Sequence, residues 1–366
     1  MPYLITQRAL APDLARGVML LLIALAHAHM YLSPQATGFR SYALDGSPLD
    51  LVVTGVQITL VDGRAMPMFA ALFGYGFVQI AARQGNDARR VLRRRSAWLL
   101  AFGCAHALLL FFGDILAAYG LLGLVLAGAV RWKDRSLLVF AALWLAVHGA
   151  AATLAGLRIA EFGGASGMAS ATDPVTAMID RITLWGVLTP FLIIDLAVPF
   201  LLGVWAAKRK MLIEPHEHQK ALRAIAFIGV GTAVVGGIPL ALVDTGLWNG
   251  SPEVALHVLH GLSGVAGGLG YAALMGLLAV HLTPGPVITA LAACGQRSMT
   301  CYLLQSVVFV AVFVPYAGGL GDRLGTAAAS GVALLTWLAT VVSAEVLRRN
   351  NKRGPAETLL RKLAYR

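Results

Sequence analysis

Three ionisable side chains in the first apolar stretch of the chain have the spacing of a membrane-embedded site. Asp13 and Arg16 are three residues apart, and His27 follows Arg16 by eleven residues. At about 100° per residue, all three side chains lie on one face of a helix, with His27 about 16 Å beyond Arg16. Ionisable residues are costly inside a bilayer, so they face the interior of a helix bundle and indicate a functional site.

The third apolar stretch repeats this arrangement. His106 follows Arg95 by eleven residues, and Asp114 comes shortly afterwards. Two histidines at one depth, with a carboxylate nearby, favour proton transfer over a uniformly apolar bundle. The sequence therefore predicts a site that contains His27, His106 and Asp114.

Other intramembrane polar residues have simpler interpretations. His148 and Asp195 fall at a similar calculated depth. His29 points to nearly the opposite side of the first helix from His27. We interpret His29 and His148 as hydrogen-bond partners between helices, which is a common role for histidine in membrane bundles.

The composition excludes a soluble protein. Hydrophobic residues make up 58% of the 366 residues and charged residues only 13%, whereas soluble domains carry about 25% charged residues. The net charge of +11 does not indicate nucleic-acid binding, because the basic residues occur in short segments between apolar runs and no nucleic-acid module is present. The three cysteines lack the spacing of metal ligands, so we expect no metal.

The elements that must position these residues are membrane-spanning helices. A span needs about 20 mostly apolar residues, which predicts an all-α, polytopic bundle of about ten helices. Residues 1–366 form a single transmembrane domain with outside loops at 33–63 and 158–183 and a C-terminal tail at 348–366. Pro48 to Val61 is too short for a span and is interpreted as a re-entrant or interfacial helix. The predicted spans are 14–32, 64–83, 95–112, 114–131, 136–157, 184–206, 222–244, 262–283, 297–316 and 325–347.

Basic residues determine the predicted orientation. With the N-terminus inside, 24 of the 29 Lys and Arg residues fall in inside segments, as the positive-inside rule requires. Arg40, Arg64, Arg158, Arg181 and Arg323 fall outside. Both termini are therefore predicted to face the cytoplasm, and the lipid bilayer surrounds the chain.

Several motifs resemble one family along nearly the whole chain. They are PDLARG (12–17), MFAALFGYGF (68–77), HALLLFFGDILAAYGLLG (106–123), PFLLGVWAAKR (199–209), GQRSMTCYLLQS (295–306) and GPAETLLRKLAY (354–365). The chain resembles the YeiB-like family of bacterial multi-pass membrane proteins, a family of unknown function. The resemblance implies a multi-pass protein of the bacterial cytoplasmic (inner) membrane.

The first span of this family is similar to that of transmembrane acyltransferases, which include heparan acetyl-CoA:glucosaminide N-acetyltransferase and enzymes that O-acylate bacterial polysaccharides. Those enzymes have Asp-x-x-Arg at the cytoplasmic start of a helix and a polar residue fourteen positions after the Asp. The polysaccharide enzymes have a catalytic histidine there, and His27 occupies this position. The separate catalytic histidine of the heparan enzyme has no counterpart, since Gly38 and Arg40 occupy the aligned region.

The resemblance implies transfer of an acyl group, in the first instance acetyl, from cytosolic acyl-CoA to an extracytoplasmic sugar, lipid or small molecule. His27 would act as general base or acyl carrier, and His106 with Asp114 would complete the acceptor side. The resemblance also implies residues that bind acyl-CoA. Asp13 and Arg16 form the Asp-x-x-Arg motif, and Arg16 and Arg95 would bind the phosphates. Tyr302 and Gln305 would donate hydrogen bonds to the thioester oxygen.

A transporter or exporter with an intramembrane His/Asp proton relay is the alternative, because buried Asp and His residues support both functions. Small residues available for helix contacts also allow a homodimer.

Overall fold

The computed structural model describes residues 9–33, 36–162, 171–249, 252–283 and 285–365, and this part of the chain is all-α with no strand. The predicted all-α polytopic bundle is confirmed. The helices are α1 (Leu10–Ala28), α2 (Pro48–Leu60), α3 (Ala65–Gln84), α4 (Ala88–Leu109), α5 (Ile115–Leu126), α6 (Asp134–Phe162), α7 (Pro174–Lys208), α8 (Gln219–Asp244), α9 (Glu253–His281), α10 (Pro286–Gln296), α11 (Ser298–Phe313), α12 (Thr326–Arg349) and α13 (Pro355–Ala364).

Each of the ten predicted spans coincides with a helix, but the helices differ in length. Among the described residues, seven helical segments are long and apolar enough to cross a membrane, and one of these joins α2, α3 and α4. The helices α5, α10 and α11 are apolar but shorter. The predicted span at 297–316 corresponds to α11, and α10 is an additional helix that ends at Gln296, just before it.

In the hairpin of α4 and α5, the second helix is too short to cross the bilayer. The 12 residues of α5 extend about 18 Å, against a hydrocarbon thickness of about 30 Å. From Arg95 to the end of α4 at Leu109, the chain rises only about 21 Å. If Arg95 lies at the cytoplasmic boundary, the turn at residues 110–114 is inside the membrane. The tight antiparallel hairpin was expected at Gly113 and Asp114, and its depth explains why His106 and Asp114 are buried together.

Two side chains from elsewhere satisfy carbonyl groups at this buried turn. Arg181 of α7 donates from Nε to the carbonyl oxygen of Leu108 at 3.2 Å. The hydroxyl of Tyr31 donates to the carbonyl of Leu110 at 3.2 Å. Carbonyl groups at a helix end need such partners where water is absent.

Glycine residues allow the helices around the site to approach closely. A Cβ atom on Gly103 of α4 would overlap the carboxylate of Asp114 and the backbone of Ala117. Gly17 of α1 and Gly295 of α10 likewise lie against each other's backbone. Small residues of this kind are typical of helix contacts in membranes. Here they allow α4 to pack closely against α5, and α1 against α10.

The first predicted outside loop, residues 33–63, contains α2. Ser47 and Asp50 form a capping box at its N-terminus. Leu49, Val52 and Val56 are more than half exposed along one face, which suits an interfacial or re-entrant helix. The second predicted loop, 158–183, is shorter in the structure, because α6 continues to Phe162 and α7 begins at Pro174; residues 163–170 lie outside the described part.

The predicted tail, 348–366, contains a helix that docks on the bundle. Glu357 of α13 accepts hydrogen bonds from the backbone N–H groups of Met299 at 2.8 Å and Thr300 at 3.1 Å. It also accepts one from the Thr300 hydroxyl at 2.5 Å. A carboxylate at this position satisfies the free N–H groups of the first turn of α11 and interacts favourably with its dipole.

Candidate functional site

The centre of the candidate site consists of Asp114, His106 and Ser306, all of them buried. His106 lies in the last turn of α4, and Asp114 is the N-cap of α5, where its Oδ2 accepts from the N–H of Ala117 at 2.6 Å. The other carboxylate oxygen lies 2.8 Å from His106 Nδ1. On the opposite side of the ring, His106 Nε2 lies 2.9 Å from the hydroxyl of Ser306 on α11.

The distance between His106 Nδ1 and Asp114 Oδ1 is that of a hydrogen bond, but the angle at the ring nitrogen lies outside the usual range. Catalytic hydrogen bonds are often long or poorly aligned before substrate binds and become shorter in the substrate complex. With Nδ1 protonated toward the carboxylate, Nε2 is free to accept from Ser306. This tautomer is assigned from the partners of the ring.

The ring of Tyr302 lies next to both histidines of the predicted site, His27 and His106. Tyr302 lies one turn before Ser306 on α11, and its ring centroid is 4.9 Å from that of His106 and 6.0 Å from that of His27. The His27 ring packs at 4.4 Å on Phe111, in the turn between α4 and α5. Neither ring nitrogen of His27 has a hydrogen-bond partner among the described residues. The structure therefore brings His27, His106, Asp114 and Tyr302 together.

A cavity of about 80 Å³ extends from Tyr302 to Arg95. Its walls are mainly apolar and come from α1, α3, α4, α5 and α11, with Leu20, Phe69 and Met299 among the lining residues. This volume holds several water molecules. The Nε atom of Arg95 is buried and has no hydrogen-bond partner in the described part of the chain. A cation therefore lies at one end of the cavity and the tyrosine next to the two histidines at the other.

The Asp-x-x-Arg motif is held in contacts with neighbouring helices. Asp13 is buried and accepts from Arg16 at 3.3 Å and from Gln296 of α10 at 3.0 Å. Arg16 also donates to the carbonyl oxygen of Leu72 on α3 at 3.4 Å. These contacts join three helices at one end of the bundle, so the motif has a structural role in addition to any contact with a ligand.

Gln305 is buried one residue before Ser306. Its amide group donates to the carbonyl of Leu20 on α1 at 3.3 Å, and its Oε1 atom has no partner in the described residues. The side-chain amide of Gln305 was expected to donate to a thioester oxygen, but in the structure it donates to the backbone of α1. Tyr302 is better placed for that role, because its ring contacts both histidines.

His29 and His148 are outside the cluster. His29 stacks on Tyr42 at 3.7 Å and lies 3.2 Å from the carbonyl oxygen of Arg40. His148 of α6 lies 2.9 Å from Asp195 of α7. His148 thus contacts another helix, as interpreted from the sequence, whereas the partners of His29 lie in the loop before α2.

A second polar network was not recognised from the sequence. Arg40 forms a two-point ion pair with Asp62, at 2.6 and 2.9 Å. Burial disfavours the charge of Arg40, but the neighbouring Asp62 outweighs this and raises the pKa of Arg40 above its ordinary value. Arg64 is fully buried and contacts His260 at 2.7 Å and the carbonyl of Ala233 at 2.7 Å.

The sequence analysis placed Arg40 and Arg64 among the outside basic residues and did not predict their contacts with other residues. The available signal was an arginine and an aspartate, Arg40 and Asp62, in one predicted loop, with Arg64 two residues after Asp62 at the start of the next predicted span. The contact between Arg64 and His260 joins residues 196 positions apart, and sequence spacing contains no information about it.

The fold and the buried cluster define a polytopic membrane protein with an ionisable site inside its helix bundle. Residues 206–366 match the family DUF418, described as a protein of unknown function. This region includes α11 and α13, and therefore Tyr302, Ser306 and Glu357.

Two bacterial proteins are similar to this chain over almost its whole length. The uncharacterized protein YxaH of Bacillus subtilis (strain 168) is 27% identical, and the match covers 100% of this chain and 96% of YxaH. The uncharacterized protein YeiB of Escherichia coli (strain K12) is 26% identical, with 98% and 97% covered. These matches confirm the predicted resemblance to the YeiB-like family.

Proposed function

We propose that the protein is a membrane-embedded acyltransferase, which moves an acyl group from cytosolic acyl-CoA to an extracytoplasmic sugar, lipid or small molecule. The observation that carries the proposal is the buried pair of His106 and Asp114, 2.8 Å apart, next to His27 and a cavity. A base oriented by a carboxylate is the usual arrangement for removing a proton from a hydroxyl or amine. The relatives from bacteria support a place in the bacterial cytoplasmic membrane.

The two histidines have different surroundings, which suggests different roles. The carboxylate of Asp114 lies 2.8 Å from Nδ1 of His106, where it can orient the ring, so His106 is the better placed general base. His27 packs on Phe111, and its ring nitrogens are available to bind the acceptor, to take its proton or to carry the acyl group. Tyr302 lies next to both rings and is positioned to donate to the thioester oxygen as charge develops there.

Arg95 supplies the charge that acyl-CoA needs at the cytoplasmic end of the cavity. Arginine binds phosphate groups through charge-assisted hydrogen bonds, and the Nε atom of Arg95 has no such bond within the described residues. The apolar walls suit an acyl chain. The cavity of about 80 Å³ has room for an acetyl group but not for a pantetheine arm, so binding of acyl-CoA must widen it.

The transporter remains the alternative because the turn between α4 and α5 is expected to lie inside the membrane. Substrate and ion sites of transporters are often formed where helices are interrupted at mid-depth, and His106 with Asp114 would then relay protons. The acyltransferase is favoured, because the site also holds a hydroxyl, a tyrosine and a cation that a proton relay does not require.

The deciding experiment uses purified protein in nanodiscs with labelled acetyl-CoA, with retained label and released CoA as readouts. We expect both signals in the wild type and their loss in the His27→Gln and His106→Gln variants. His281→Gln, at the exposed end of α9, is the matched control and should behave as wild type. Failure of the wild type to bind acetyl-CoA at millimolar concentration would reject the acyltransferase, and proton-coupled flux assays would then test the transporter.

A further inference from the structure

Ser306 differs from most of the hydroxyl residues of the neighbouring helix, α12. In α12 the hydroxyls of Ser330, Thr336 and Ser343 each donate to the carbonyl four residues earlier, at 2.6 to 2.8 Å. This local bond is a common way for a serine in a membrane helix to satisfy its proton. Ser306 is 2% exposed and contacts the imidazole of His106 instead, at 2.9 Å.

The contacts of His106 on both sides form a continuous series. Asp114 lies 2.8 Å from Nδ1, and Ser306 lies 2.9 Å from Nε2. A nucleophile next to a base, with the base oriented by a third group, is the arrangement that activates a serine hydroxyl. The carboxylate is held in turn by the N–H of Ala117, so its position is fixed by the start of α5.

We propose that Ser306 is the nucleophile that carries the acyl group during transfer, with His106 as its base and Asp114 as the residue that orients the base. This inference rests on the proposed function and names the intermediate in it. The substrate class is an acyl thioester. Tyr302, one turn before Ser306 on the same face of α11, is positioned to stabilise the oxyanion.

The first half of the reaction forms an ester on the protein. Ser306 Oγ attacks the thioester carbon, and its proton passes to Nε2 of His106. The bond between carbon and sulfur breaks as the tetrahedral intermediate collapses. His106 then returns the proton to the departing sulfur, so free CoA leaves as the thiol and Ser306 bears the acyl group.

The second half restores the serine. A hydroxyl or amine of the acceptor, bound next to His27, attacks the ester carbon and gives its proton to Nε2 of His106. The bond between the acyl carbon and Ser306 Oγ breaks, and His106 returns the proton to that oxygen. No oxidant, reductant or other co-reactant is needed in either half.

If Ser306 carries the acyl group, the CoA part of acetyl-CoA should exchange with free CoA even when no acceptor is present. Wild-type protein in nanodiscs is incubated with unlabelled acetyl-CoA and labelled free CoA, and formation of labelled acetyl-CoA is followed. We expect exchange in the wild type and its loss by at least a hundredfold in Ser306→Ala, with binding of acetyl-CoA unchanged. Ser343→Ala, which removes an exposed hydroxyl of the adjacent α12 that bonds only its own helix in the described residues, is the matched control and should exchange as wild type.

A second variant separates a chemical role from a failure to fold. Ser306→Cys keeps a nucleophile at this position, and acid-quenched protein should contain one acetyl group as a thioester that hydroxylamine removes. A wild type that binds acetyl-CoA but shows no exchange, or a Ser306→Ala variant that exchanges at the wild-type rate, would overturn the acyl-serine. After either result, the proposed acyltransferase function still stands if the protein releases CoA in a reaction that depends on His106. Absence of acetyl-CoA binding would reject both.

Discussion

Asp114 Oδ1 lies 2.8 Å from Nδ1 of His106, eight residues earlier in the chain, because the chain reverses between them inside the bundle. The same carboxylate is the N-cap of α5. One side chain therefore both starts a helix and orients an imidazole, and these two roles can be separated by substitution.

Asp114→Asn removes the charge but keeps the cap, since asparagine is as good an N-cap as aspartate. We expect normal folding and a fall in the rate of CoA release by roughly three to four orders of magnitude, as in other His-Asp systems. The matched control is Asp173→Asn, because Asp173 caps α7 through the N–H groups of Val175 and Thr176 on the exposed surface. Equal activity of the two variants would contradict the role of Asp114.

Gly103→Ala tests whether the α4–α5 contact positions the carboxylate. The added Cβ overlaps Asp114 and the backbone of Ala117, so α5 must shift at a cost of about 1–3 kcal/mol. We expect a lower melting temperature and loss of CoA release. Gly231→Ala in α8, where a Cβ meets no atom within 4 Å, should leave both measurements unchanged. A Gly103→Ala variant with wild-type activity would show that the site tolerates displacement of Asp114.

Arg95→Ala should weaken binding of acyl-CoA more than it slows the chemical steps. Loss of one charge-assisted hydrogen bond costs about 1.5–3 kcal/mol, which corresponds to a rise in KM of roughly ten- to a hundredfold. The kcat should change little. Arg93→Ala is the control, because Arg93 lies on the exposed side of α4. If Arg95→Ala lowers kcat with KM unchanged, Arg95 does not bind the phosphates.

Glu357→Gln tests the docking of α13 on α11. The neutral amide still accepts hydrogen bonds but loses the charge that favours the first turn of α11, so we expect a loss of about 1–2 kcal/mol in stability. Thermal unfolding in detergent measures this change. Glu345→Gln is the control, since among the described residues Glu345 pairs with the surface residues Arg348 and Arg349, and such pairs contribute at most about 1 kcal/mol.

Properties set by local spacing could be predicted from the sequence. The eleven-residue separations of Arg16 from His27 and of Arg95 from His106 led to the prediction that the two histidines share a site, and in the structure both rings lie beside Tyr302. Tyr302 was also placed there, because the resemblance to acyltransferases requires donors near the acyl group. The helices themselves followed from apolar length, although the short α5 was expected to be a full span.

Contacts between distant helices could not be predicted in this way. The bond between His106 and Ser306 joins residues 200 positions apart, and it depends on how α4 packs against α11. A serine in an apolar helix is unremarkable in sequence, because most such hydroxyls bond their own helix. The contact of Asp13 with Gln296 of α10 was not predictable from spacing either. Asp13 was inferred to contact acyl-CoA, but it accepts hydrogen bonds from Arg16 and Gln296 and so also joins α1 to α10.

The contact between Glu357 and the first turn of α11 has a consequence for biogenesis. Glu357 follows Met299 by 58 residues and Thr300 by 57, so a ribosome completes α11 before it reaches Glu357. The N–H groups of Met299 and Thr300 therefore lack this carboxylate partner when the helix that bears Tyr302 and Ser306 is first synthesised. The newly inserted chain reaches its final arrangement only when α13 has been synthesised and has folded back onto the bundle.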